Sequence, residues 1–167
     1  MVVTRGEAAD GAEVLALYER VLAEDRYFIT STDEQDLSPE SMGNQIRSFN
    51  AQDNAIYLVG RVNRAVVGAL KIQGGRHRRV RHLGLLEIFV DAPYRGAGVG
   101  RAMMEIVIDW AEANPVLSKL ALSVFEDNAR AVNLYRTLGF IEEGRRIGQY
   151  RERDGSLRSD LLMARTV

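Results

Sequence analysis

The sequence contains no cysteine, which excludes disulfides, thiolate nucleophiles and cysteine-ligated zinc together. Histidine occurs only as His77 and His82. With no H-E-x-x-H pair and no calcium-loop spacing, no metal site is expected, and both histidines read as loop or strand-end residues. Long apolar runs are missing too. None approaches the roughly 18 residues of a membrane span, and the opening Met1-Val2-Val3-Thr4-Arg5-Gly6-Glu7 lacks the apolar core of a secretory signal. A membrane partner is therefore not expected, and a cytoplasmic location follows by default. Neither charge sign dominates. A formal net charge of -1 removes the electrostatic basis for a nucleic acid partner. Of the 22 basic residues only Lys71 and Lys119 are lysine. Arginine forms one cluster, Arg76-His77-Arg78-Arg79-Val80-Arg81, which reads as a solvated loop able to attract phosphate or an acidic partner.

What is present suits an ordinary globular protein. The 167 residues, 46% hydrophobic and 27% charged, are enough for one core and give no reason to divide the chain, so 1–167 is read as a single domain. A short strand over 2–4 precedes a helix over 12–22, where Val14, Leu15, Leu17, Tyr18, Val21 and Leu22 share a stripe and Asp10 is a plausible N-cap. Residues 31–39 are polar and acidic, and Pro39 can open a second helix carrying Met42, Ile46 and Phe49. This long polar connection is the expected substrate-facing element. Strands over 56–62 and 65–73 flank Asn63-Arg64 as a hairpin, and a further strand covers 83–90. A helix over 99–113, a strand over 119–125 and a helix over 129–138 ended by Gly139 come next. Two closing strands surround Asp154-Gly155. Hairpins first and helical crossovers later imply a mixed α/β sheet.

The most informative segment is Arg95-Gly96-Ala97-Gly98-Val99-Gly100, placed between the apolar run Leu85-Leu86-Glu87-Ile88-Phe89-Val90 and a helix. Glycines let backbone N–H groups approach a ligand, and a helix N-terminus carries roughly +0.5 of a charge, so the expected guest is a phosphate or pyrophosphate. A P-loop would need Lys and then Ser or Thr where Arg101-Ala102 stands. A dinucleotide fingerprint needs G-x-G-x-x-G, whereas Gly96, Gly98 and Gly100 are spaced G-x-G-x-G. The stretch from Arg95 to Ala102 instead resembles the R/Q-x-x-G-x-G/A loop that cradles the coenzyme A pyrophosphate in the GCN5-related N-acetyltransferases. A second stretch, Asn128-Ala129-Arg130-Ala131-Val132-Asn133-Leu134-Tyr135-Arg136-Thr137-Leu138-Gly139-Phe140, is similar to that family's N-x-x-A-x-x-L-Y-x-x-x-G-F motif. Both occur in the proper order and context, which is far more specific than either alone.

The resemblance implies an α/β (α+β) fold with a mixed, mostly antiparallel sheet of about seven strands flanked by about four helices. It also implies acetyl-CoA as cosubstrate, bound by Phe89, Val90, Arg95, Gly96, Ala97, Gly98, Val99, Gly100, Arg101, Asn128 and Tyr135. Asn128 could equally cap its helix, and Tyr135 could simply pack beside Ala131, Leu134 and Leu138. In the family this tyrosine places its hydroxyl near the thioester sulfur, which makes Tyr135 the candidate acid. Backbone N–H groups near Phe89 and Val90, if the strand splays from its neighbour, would polarise the acetyl carbonyl.

The acceptor amine must also lose a proton. An α-amine with a pKa near 8 is about one-tenth neutral at pH 7, whereas a lysine-like amine near 10.4 is neutral less than about once in a thousand. Glu87, interrupting an apolar strand, is the candidate base, directly or through water; the alternative is a salt-bridged strand carboxylate. Many family members carry their acid at another step of this strand, and one step changes the face. The expected reaction is acetyl transfer to a primary amine, either a small amine or an L-amino acid, by direct attack in a ternary complex. Protein N-terminal or lysine acetylation, polyamine or aminoglycoside acetylation, and a non-catalytic acyl-CoA sensor stay open. The acidic Asp33-Glu34-Gln35-Asp36 keeps polyamines in view. Dimers are common in the family, so a homodimer is a further expectation.

Overall fold

The computed structural model describes residues 1–30 and 36–167. Strand β1 (Val2–Arg5) leads into α1 (Gly11–Leu22) and α2 (Pro39–Asn50), followed by β2 (Ile56–Val62), β3 (Ala65–Gly74) and β4 (Leu83–Val90). Then come α3 (Val99–Glu112), β5 (Lys119–Phe125), α4 (Ala129–Thr137), β6 (Ile141–Arg151) and β7 (Leu157–Thr166). The strands form one seven-stranded sheet in the order β1-β2-β3-β4-β5-β7-β6. Every neighbouring pair is antiparallel except β4 and β5, which α3 joins as a crossover. The mixed, mostly antiparallel sheet implied by the resemblance is therefore the one found.

Local sequence explains the elements. Val14, Leu15, Leu17, Val21 and Leu22 form the buried stripe of α1, at the spacing that puts them on one helical face. Helix α2 starts at Pro39 because Ser38 accepts the Ser41 N–H at 3.1 Å, and it buries Met42, Ile46 and Phe49. Asn63 and Arg64 both take positive φ, 49° and 72°, the backbone that matches a two-residue hairpin to strand twist. Asp10 occupies the N-cap position of α1 as expected, but its side chain makes no cap hydrogen bond. A short 3-10 turn over Ala8–Asp10 comes first, and the Asp10 carboxylate accepts from the Glu7 N–H at 2.7 Å and from Arg61 at 2.5 Å. Of the acidic stretch 33–36, only Asp36 lies within the described residues.

Two apolar layers cover the sheet. On one face Phe89, Tyr57, Val59 and Ala69 pack with α1 and α2. On the other, Leu86, Leu70, Ile72 and Leu122 pack with Met103, Met104 and Val107 of α3 and with Val132 and Leu138 of α4. Side chains alternate along a strand, so Glu87 shares the α1/α2 face with Phe89, while Leu86, Ile88 and Val90 face α3 and α4. The β3–β4 register runs without a bulge from Gly74↔Gly84 to Gly68↔Val90, so nothing reverses that assignment.

Candidate active site

Strands β4 and β5 pair at only three positions, Leu83↔Lys119, Gly84↔Leu120 and Leu85↔Ala121. Beyond Leu85 they separate, and a cleft of about 950 Å³ runs through the gap. The Asp91 N–H donates to the Val67 carbonyl at 2.9 Å on the β3 side. Antiparallel pairs alternate, so Phe89 and Glu87 also turn their N–H groups to β3, while Ile88 and Val90 turn theirs into the gap. The Val90 carbonyl, on the same gap side, accepts from Arg95 Nε at 2.8 Å. Among the described residues, the donors left unpaired at the splay thus belong to Val90 and Ile88. The Phe89 N–H is committed to the sheet, which corrects the sequence-based expectation for that group.

The glycine loop lies at the mouth of this cleft. Gly96 and Gly98 adopt φ of 81° and 85°, and a Cβ at either would meet nothing within 4 Å. Their backbone shape disfavours a side chain, and the space above them is open. The first bond of α3 runs from the Ala102 N–H to the Gly98 carbonyl at 3.0 Å. Consequently the N–H groups of Gly96, Ala97, Gly98, Val99, Gly100 and Arg101 have no backbone acceptor among the described residues. Gly96, Gly98, Gly100 and Arg101 line the cleft at the positive end of a 14-residue helix, while Val99 is buried in the core and Ala97 is not part of the lining; unpaired donors there make an anion cradle.

The loop's two arginines do different work. Arg95 holds Glu24 through both terminal nitrogens, at 2.5 and 2.6 Å, so its side chain braces the loop against the end of α1. Arg101 donates to Thr137 at 2.8 Å, linking α3 to α4 across the cleft.

Helix α4 supplies the opposite wall. Asn128 caps it, accepting the Ala131 N–H at 3.3 Å, and also lines the cleft. Tyr135 is buried, packs its ring 5.9 Å from that of Phe140, and reaches the cleft lining. Burial pushes its phenol up to about 12. At neutral pH it is a proton donor only.

On the α1/α2 face, Glu87 pairs with Lys71 at 3.1 Å, and Lys71 lies 5.9 Å from the Phe49 ring centre. Burial raises the Tyr18 phenol, a Thr30 hydrogen bond opposes this, and the Glu87 charge adds to the rise. The Glu87 charge also adds to the burial that raises Tyr57. Across the gap, Asp160 of β7 is 1% exposed and is bound by Arg146 through both carboxylate oxygens. Tyr150 donates to the same carboxylate at 3.2 Å. Burial alone would push the Asp160 carboxyl up. The hydrogen bonds and charge of Arg146, with Tyr150 and Ser123, outweigh it and hold the carboxyl below its usual range.

The structure therefore brings Glu87, Phe89, Val90, the glycine loop, Asn128 and Tyr135 into one cleft. The cluster around Arg76 to Arg81 is elsewhere: Arg81 pairs with Asp53 at 2.6 Å, and Asn54 donates to the Gly75 and Arg81 carbonyls. Sequence reasoning missed Asp160, Lys71, Arg26 and Ser123. Asp160 carried a usable signal, since it precedes Leu161-Leu162-Met163 much as Glu87 interrupts the apolar run of β4.

Comparison with known proteins agrees with the geometry. The Acetyltransferase (GNAT) family matches residues 16–140. The chain is 33% identical over 87 residues to the L-amino acid N-acetyltransferase AaaT of Escherichia coli, covering 52% of this chain and 54% of that protein. It thus spans about half the length of that curated relative. A GNAT acetyltransferase from Streptococcus pneumoniae superposes with a TM-score of 0.95 at 30% identity, covering 99% of each chain. YncA of Salmonella typhimurium, solved with its cofactor acetyl-CoA, shares the fold at a TM-score of 0.88 and 16% identity, covering 99% of this chain and 93% of that one. The family match covers most of the chain and takes in both the glycine loop and the α4 wall, so the chain belongs to the GNAT acetyltransferase family.

Proposed function

We propose that the protein transfers the acetyl group of acetyl-CoA to a primary amine, a small amine or an L-amino acid, by direct attack in a ternary complex. The observation that carries this reading is the glycine loop, whose N–H groups at residues 96–101 have no backbone acceptor among the described residues, set on the cleft that opens between β4 and β5. A diphosphate fits such a cradle, and the open space over Gly96 and Gly98 leaves room for it. Acetyl-CoA supplies an activated thioester when bound.

The chain's own groups then divide the work. The N–H groups of residues 96–101, helped by the Asn128 side chain, hold the diphosphate. The Val90 and Ile88 N–H groups polarise the acetyl carbonyl, each preorganised donor being worth about 3 to 4 kcal/mol. Tyr135 donates a hydrogen bond to the leaving sulfur. With its phenol near 12 and a thiol near 8.5, complete proton transfer is uphill by about 5 kcal/mol, so the tyrosine stabilises the thiolate without becoming phenolate. Glu87, paired with Lys71, takes the amine proton directly or through water.

Isothermal titration with acetyl-CoA, joined to a thiol-release assay over a panel of amines, tests the reading. Binding accompanied by amine-dependent release supports it. Binding with no release from any amine makes the protein a sensor and overturns it.

A further inference from the structure

We infer that the acceptor is an amine that also carries a carboxylate, and that Arg26 reads the carboxylate. The inference rests on the acetyl transfer proposed above and goes beyond it by naming the acceptor's second charged group.

The first observation is the charge balance of the cleft. Four carboxylates line it among the described residues: Glu24, Glu87, Asp127 and Asp160. Each already has a cation. Glu24 holds Arg95 at 2.5 Å, Glu87 holds Lys71 at 3.1 Å, Asp127 holds Arg158 at 2.7 Å, and Asp160 holds Arg146. A polycationic acceptor would have to displace one of these partners. The cleft therefore has no spare negative charge among the described residues for a second ammonium group.

The second observation is the opposite imbalance. Lys71, Arg95 and Arg101 line the cleft with acid partners, whereas Arg26 and Arg130 line it with none among the described residues. Arg130 stands on the first turn of α4, two residues after the Asn128 cap and at the donor end. Arg26 stands beyond α1, next to the Tyr27 and Phe28 that line the cleft. Its guanidinium is 5.0 Å from the Tyr27 ring centre, and its carbonyl accepts from Arg158 at 2.6 Å. Arg158 is itself fixed over the Phe125 ring at 4.0 Å. Arg26 is thus an exposed cation on an anchored backbone, with no acid on its planar fork among the described residues, the geometry that suits a bidentate carboxylate.

The third observation concerns what lies between. Tyr18, Phe28 and Phe89 touch ring to ring at 5.5 to 5.8 Å on one side, and Tyr27, Phe125 and Tyr150 at 5.0 to 6.4 Å on the other. Such walls suit an apolar or aromatic body. The acceptor that satisfies all three is an amino acid with an apolar side chain.

The experiment compares L-phenylalanine, L-phenylalaninamide and spermidine as acceptors of acetyl-CoA, with rates taken at equal fractions of neutral amine. The expected result is a kcat/KM for the acid about tenfold or more above that for the amide, with spermidine poorest. Arg26→Gln should bring the acid-to-amide ratio close to one, and Arg26→Lys should restore part of it. A merely structural role for Arg26 would lower both rates and leave their ratio. Equal rates for acid and amide, or a preference for spermidine, overturn this inference and leave acetyl transfer standing. Bound acetyl-CoA with no thiol release from any of the three would sink the transfer reading and this inference with it.

Discussion

Leu85 and Ala121 are the last partners in the parallel ladder between β4 and β5. Were the ladder to continue, the Ile88 and Val90 N–H groups would be spent on β5, and α3 and α4 would close over a continuous sheet. Because it stops there, two free N–H groups of β4, the cradle at the start of α3 and Tyr135 of α4 all open onto one gap. Glu87 reaches the same gap from the other face of the sheet.

Gly100 separates binding from stability. A Cβ there meets Leu134 at 3.7 Å and Val90 at 3.8 Å, ordinary contact distances, and glycine inside a helix is less stable than alanine by roughly 0.5 to 1 kcal/mol. Gly100→Ala should therefore keep or slightly raise the melting temperature while weakening acetyl-CoA binding about tenfold, because the methyl enters the cradle. Gly98→Ala, at a φ of 85°, should lose about 1 kcal/mol of stability as well. Calorimetric melting beside titration of acetyl-CoA reads both. An alanine at 100 that binds normally would mean that this turn does not face the diphosphate.

Glu87→Gln is expected to lower turnover in a pH-dependent way. If Glu87 receives the amine proton, the loss is large at pH 7, about 10- to 100-fold, and shrinks as the pH approaches the amine's own pKa, where neutral nucleophile is plentiful. It should also be larger for a lysine-like amine than for an α-amine. Lys71 keeps its place near the Phe49 ring, so the variant should fold. A uniform loss across pH would assign Glu87 to the ion pair alone.

Much of this was legible in the sequence, for identifiable reasons. The bounds of β4 and β5 followed from apolar runs closed by turn residues, and the cradle from glycine spacing in its strand and helix context. Glu87's face was not legible, because one step along a strand reverses a side chain and only the unbroken β3–β4 register settles it. The Asp160 network was hidden because its partners Arg146, Tyr150 and Ser123 come from β6 and β5. Arg95 looked like a phosphate ligand by motif. Its bond to Glu24 lies 71 positions away in sequence, beyond any local pattern.

Asp160→Asn tests the buried pair. Removing the charge leaves Arg146 with neutral partners, but its side chain is 37% exposed and can turn to water, so a cost of about 2 kcal/mol is expected rather than the full penalty of an enclosed ion. The Asp160 carboxyl is held below its ordinary range. Its contribution is thus present above the unfolded pKa of about 3.9 and is lost as pH falls through the lower folded value. Urea unfolding should show the two proteins differing at pH 7 and drawing together as the pH falls below about 4. A difference unchanged at pH 3 would mean that the charge is not what matters.

Tyr135→Phe gives two independent readings of one hydroxyl. In catalysis, the variant should lose about 10- to 100-fold in turnover while binding acetyl-CoA within about twofold, because the hydrogen bond to sulfur matters only as the thiolate forms. In stability, burial raises the folded phenol to about 12 from about 10 unfolded. A raised folded value means a contribution complete below pH 10 and lost as pH rises through 12. The wild type should therefore lose about 1.4 kcal/mol more than the variant between pH 8 and pH 11. Tyr57, raised by burial as well, leaves a residual slope in both proteins, so the difference between them is the measurement. Equal slopes would place the Tyr135 hydroxyl in water. A hydroxyl already satisfied by solvent has little to gain at a developing thiolate, so that result would remove the physical basis of the donor role even if turnover fell.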